Sequence, residues 1–133
     1  MVIPRFTQPF SFNLLNNIMA SKRIELTSED NAVMELIAQE MMNYFGVTRY
    51  EFANQRGGKF FRARYMAFYF IRKYTTASYF QIGLWVRPRD PMTESAVFAG
   101  VEKVNNNNKL KEIAEFLNKQ LLLKLPERRL ENP

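Results

Sequence analysis

The 133-residue chain contains no cysteine and no histidine. The first absence excludes disulfides, a thiolate nucleophile, zinc fingers and ribbons, and a protein-ligated iron–sulfur cluster. The second excludes a Ser-His-Asp triad, a histidine general base and an imidazole metal site. No stretch approaches the roughly 20 apolar residues that span a bilayer; the longest apolar runs, 65–71 and 121–123, are short and flanked by charge. The opening Met-Val-Ile-Pro-Arg has no apolar block ahead of a small-residue cleavage site, so no signal peptide is expected and the expected location is cytoplasmic. There is no internal repeat, no Gly/Ser linker and no phosphate-binding Gly-x-x-x-x-Gly-Lys-Ser/Thr loop. Composition leaves carboxylate chemistry open, yet Glu35, Glu40 and Glu51 fall at ordinary solvating positions and form no acid/base pair. The expectation is a protein that is not an enzyme and has neither cofactor nor metal.

What the chain does have is unevenly placed positive charge. The formal net charge is +6, from 19 Lys and Arg against 13 Asp and Glu. Residues 49–90 hold nine of those bases (Arg49, Arg56, Lys59, Arg62, Arg64, Arg72, Lys73, Arg87 and Arg89) and only two acids, Glu51 and Asp90, so this third carries more than the whole excess. Seven of the nine are arginine, whose planar fork matches phosphate and guanine edges. A solvated basic face is the ordinary reading of such a run; here the bases interleave with aromatics and flank helix signals, which points to nucleic acid.

The apolar content, 47%, suffices for one domain with a packed core. Residues 1–24 read as an N-terminal arm carrying Phe6, Phe10 and Phe12, with a short helix near 14–20. A helix begins at Thr27/Ser28, with Asp30 in its first turn, and carries Val33, Leu36, Ile37, Met41, Tyr44 and Phe45 at helical spacing until Gly46 stops it. Thr48 and Glu51 form a capping box that opens a short helix to about Asn54. Residues 55–59 read as a flexible basic loop around paired glycines. The stripe Ala63, Met66, Ala67, Phe70, Ile71 and Tyr74 predicts a helix over 60–74, with Arg62, Arg64, Tyr65, Tyr69, Arg72 and Lys73 on its other face. Ser78 and Gln81 cap a helix over 78–85. After a tight turn, Asp90 as N-cap and Pro91 in the first turn start a helix over 90–104, and Asn108 caps a terminal helix reaching to about 125. Residues 126–133 read as a tail. Trp85, Tyr79 and Phe80 are expected in the core, and Met34, Met41 and Met42 as its gap-fillers.

The helices over 78–85 and 90–104 make a helix-turn-helix candidate, a shape whose second helix fits the major groove and presents its N-terminal residues to base edges. Around this pair the residues resemble a family. Tyr44-Phe45-Gly46-Val47-Thr48-Arg49-Tyr50-Glu51-Phe52 is similar to a Tyr-rich helix end followed by Val-Ser-x-x-Leu-Leu. Arg62-Ala63-Arg64-Tyr65-Met66-Ala67 resembles Arg-Pro-Arg-Gln-x-Ala, and Ser78-Tyr79-Phe80-Gln81-Ile82-Gly83 resembles Ser-Leu-x-Glu-Ile-Gly. Ile71 to Thr75, Arg89-Asp90 and Val101 to Val104 fall where the same family has Ala-x-Glu-Leu-Thr, Gly-Arg-Asp-His-Thr-Thr-Val and the close of that helix. The family is the C-terminal DNA-binding domain of the bacterial chromosomal replication initiator DnaA, and the matches extend from about 32 to 121. The resemblance implies an all-α, Trp-repressor-like domain over 25–125 that binds double-stranded DNA. It implies DNA contact by Arg62 and Arg64, support from Arg56 and Lys59, and a further arginine, Arg89, ahead of the recognition helix. Arg72, Lys73 and Arg87 extend the basic set, and Thr93 and Ser95 are the candidates for base edges, although either could serve as a helix cap. The family's His-Thr-Thr and Gly-Gly turn are replaced here, the latter by Arg87-Pro88, which implies altered base readout, and the family's ATPase loop is absent. The expected function is therefore sequence-specific or semi-specific duplex binding, as a replication accessory or regulator. The alternative is a helical protein–protein adaptor that keeps the fold without the DNA. A homodimer or a protein partner is expected through the arm or the terminal helix.

Overall fold

The computed structural model describes residues 26–126, and the expected N-terminal arm, its short helix and residues 127–133 lie outside them. The described chain is all-helical: α1 (Ser28–Phe45), α2 (Arg49–Asn54), α3 (Gly58–Tyr74), α4 (Tyr79–Val86), α5 (Glu94–Asn105) and α6 (Asn108–Leu122), with no strand among the described residues. None of these helices is long and apolar enough to cross a membrane.

Local chemistry sets most helix boundaries. Thr27 Oγ1 accepts the Asp30 amide at 2.9 Å to open α1, and Gly46, at φ +68°, closes it in the left-handed conformation that glycine adopts without strain. Thr48 with Glu51 and Ser78 with Gln81 form complete capping boxes at the starts of α2 and α4. Three boundaries depart from expectation. The loop after α2 is shorter, because Gly57 turns the chain at φ +104° and α3 starts at Gly58, which puts Lys59 in a helical first turn. Asn107 rather than Asn108 caps α6, accepting the Leu110 amide at 3.0 Å. Asp90 does not cap α5: that helix starts at Glu94, and Thr93 accepts the Ala96 amide at 3.1 Å.

The last shift has a tertiary cause. The Gly83 carbonyl accepts both the Arg87 and the Met92 amides, each at 3.3 Å, so the chain is held against α4 until Met92 and only then turns into helix. A Cβ on Gly83 would overlap the Met92 carbonyl oxygen, so the approach requires glycine. The connection between α4 and α5 is thus seven residues, 87–93, rather than a tight turn.

The central helix is α3, which packs against α1 and α5 with α2 and α4 at its flanks. Its expected stripe is fully buried, and Phe68 is buried as well, so both α1 and α5 find an apolar face. Gly100 of α5 lets that helix close on α3: an added Cβ would lie 2.7 Å from the Tyr65 ring and 3.0 Å from Phe68. Met34, Met41 and Met42 complete the core from α1, as expected, whereas Tyr79, Phe80 and Trp85 are half-buried at its margin. Helix α6 joins through α5, and Tyr74 donates its hydroxyl hydrogen to Asn118 Oδ1. Lys124 pairs with Glu40 at 2.6 Å, tying the end of the domain back to α1.

Candidate nucleic-acid interface

The basic residues of 49–90 divide between two places. One set surrounds the N-terminal end of α3 and the end of α4. Arg56, Lys59 and Arg62 are exposed there, and Arg49 lies over the Trp85 ring at 5.9 Å from its centroid. The charges of Arg56 and Arg87 both bear on Arg64, which brings the 87–93 connection to this same end. The second set, Arg72 and Lys73, lies ten residues further along α3, roughly 15 Å at 1.5 Å per residue. The bases are not gathered on one continuous face.

Arg64 corrects the expectation of a DNA-contacting side chain. It is buried, at 4% relative exposure. Its Nη1 donates to the carbonyls of Phe52 at 2.6 Å and Glu51 at 3.3 Å, and its Nη2 donates to Gln55 at 2.7 Å. These are carbonyls at the end of α2, and a guanidinium with several donors is suited to satisfying them together. Burial, and after it the neighbouring Arg87, holds the Arg64 pKa below its ordinary value. The residue acts as a structural clamp between α2 and α3, with its guanidinium 5.2 Å from the Phe61 ring centroid.

Arg72 is likewise engaged: its Nη1 donates to the Ala77 carbonyl at 2.7 Å, and its guanidinium lies 4.3 Å from the Tyr79 ring centroid. It staples the turn between α3 and α4. Lys73 is half-buried beside it, 5.7 Å from the Tyr74 ring centroid. Lys59 donates to the Gly46 carbonyl at 3.2 Å and so also serves the end of α1. Thr93 uses its hydroxyl oxygen as a cap, which leaves Ser95, exposed in the first turn of α5, as the base-edge candidate of the pair. Among the described residues, Arg56, Arg62, Arg87 and Arg89 have no ion pair; Arg49 pairs with Glu35.

Sequence reasoning singled out neither Arg49 as a lid on Trp85 nor Gly83 as the seat of the 87–93 connection. An isolated glycine in the middle of an otherwise bulky helix was the signal for the latter. The outward side of α5 is also informative. Glu94, Ser95, Phe98, Ala99 and Lys103 are exposed and Glu102 is half-buried, so this side holds two acids and one base. The charge suited to phosphate lies beside α5 rather than along it. Among the described residues no group of acids could hold a metal ion.

No family model matches the chain, and neither a curated protein nor a solved structure is significantly similar to it.

Proposed function

We propose that this protein binds double-stranded DNA through the end of the bundle formed by the start of α3 and the 87–93 connection. The observation that carries this reading is that Arg87, from the connection after α4, comes near the same Arg64 that Arg56 neighbours, and that Arg56, Arg62, Arg87 and Arg89 all lack carboxylate partners among the described residues. The first-turn amides of α3 have no side-chain cap, and the positive end of that helix dipole adds to the same potential. Helices α4 and α5 then serve as a helix-turn-helix pair of the Trp-repressor and DnaA C-terminal kind. Ser95 is presented at the N-terminal end of α5 beside the basic connection. With two acids on the outward side of α5, affinity comes from phosphates and base discrimination is modest, as suits a cytoplasmic replication accessory or regulator.

Salt titration of binding to duplex DNA tests the reading. Affinity should fall steeply between about 50 and 200 mM salt, because each neutralised phosphate releases counterions. A flat response, or no binding at low salt, refutes it. The adaptor reading draws on a different observation: Phe98, 47% exposed between Glu94 and Glu102, is a better contact for a protein than for DNA.

A further inference from the structure

We infer that Arg87 and Arg56 form a seat for a single phosphate group at this end of the bundle. The inference deepens the proposed duplex grip and rests on it for the natural ligand, a phosphodiester of the DNA backbone.

The first observation is a concentration of like charge. The charges of Arg56 and Arg87 each bear on Arg64, and the Arg64 guanidinium is spent on backbone carbonyls. The nearby acids do not neutralise the group. The carboxylate of Glu51 accepts the Thr48 amide at 2.9 Å, and Asp90, in the same connection as Arg87, forms no ion pair among the described residues. Such an arrangement is unfavourable in the free protein and is relieved by an anion.

The second observation is independent of charge. Arg87 Nε is buried and lacks a hydrogen-bond partner among the described residues. Buried donors are nearly always satisfied, so an open one calls for an explanation. The rest of this side chain is only half-buried. Nε–H and one Nη–H lie parallel on one edge of the planar guanidinium, the pair by which arginine holds two oxygens of a phosphate, and rotation of this half-buried side chain would turn that edge outward. Binding thereby exchanges an unsatisfied donor for a satisfied one.

The third observation is that the backbone carrying Arg87 is fixed. Its amide is held on Gly83, and the Met92 amide returns to the same oxygen. A side chain launched from a rigid backbone loses less freedom on binding than one on a loose loop.

Arg87→Lys tests the seat, since it keeps the charge and removes both Nε and the fork. Two measurements are made on wild type and variant: affinity for a duplex of random sequence at fixed salt, and the rise in melting temperature on replacing chloride by inorganic phosphate at equal ionic strength. The expected result is a loss of about fivefold to tenfold in duplex affinity and disappearance of the phosphate-dependent rise. Lys119→Arg, at an exposed position of α6 away from this connection, should match wild type in both. If Arg87→Lys does not fold in chloride, Arg56→Lys takes its place with the same expectations. Duplex binding that Arg87→Lys leaves intact, with no phosphate effect on wild type, overturns the seat and leaves the DNA reading standing. A phosphate effect lost in Arg87→Lys, without duplex binding by wild type, upholds the seat and overturns the DNA reading.

Discussion

At the C-terminal end of α3, Arg72 donates to the Ala77 carbonyl and lies over the Tyr79 ring, so its charge is used within the fold. At the N-terminal end, Arg56 and Arg62 reach neither a carbonyl nor a ring among the described residues, and beneath them Arg64 has taken the carbonyls that α2 offers. Both ends are basic in sequence, but only one has charge to spare for a ligand. The difference lies in geometry. A short helix that ends against α3 exposes carbonyls requiring donors, and one arginine meets that demand on behalf of its neighbours.

Three substitutions sharpen or break this comparison. The largest effect is expected from Arg64→Ala, which leaves the buried carbonyl of Phe52 and the part-buried carbonyl of Gln55 without their donor and should lower unfolding free energy by about 3 kcal/mol in chemical denaturation. A loss below about 1 kcal/mol would show that Arg64 is no clamp. Next, Arg56→Ala combined with Arg62→Ala should leave stability within about 0.5 kcal/mol of wild type. The same pair should weaken duplex binding on the order of tenfold near 0.1 M salt and reduce the salt slope by about 2. This pair separates DNA binding from an adaptor role cleanly, which no pair containing the buried Arg64 can do. The smallest effect is expected from Arg72→Ala: about 1 kcal/mol of stability, from one hydrogen bond and one cation–π contact. Its duplex affinity should stay within about twofold of wild type; a larger loss would mean that both ends of α3 touch the duplex.

Helix identity was legible in the sequence because the determinants are local. Thr27, Thr48 and Ser78 stand at the required distance from the amides they cap, and Gly46 marks a stop that needs no distant information. The buried stripe of α3 was likewise readable from its period. The α5 boundary was not. Asp90-Pro91 has the chemistry of a helix start, but a hydrogen bond from Met92 to Gly83, nine residues back, keeps the chain extended past it. Among four successive asparagines, residue type cannot choose between Asn107 and Asn108. The basic site was legible as a region and illegible residue by residue. Arg62 and Arg64 differ by two positions and have opposite fates, because burial of Arg64 depends on where α2 ends, information that lies outside α3 itself.

The shared oxygen of Gly83 has a consequence for how the chain can vary. Since the Arg87 and Met92 amides meet at one acceptor, residues 88–91 form a closed excursion whose two feet stand together on α4. Residues inserted within that excursion would enlarge a surface bulge and leave the spacing between α4 and α5 unchanged, because loop closure grows costlier only slowly with length. Related chains could therefore differ freely in this bulge while sharing the glycine beneath it, and an alignment that treats the bulge as fixed in length would misplace the helix that follows.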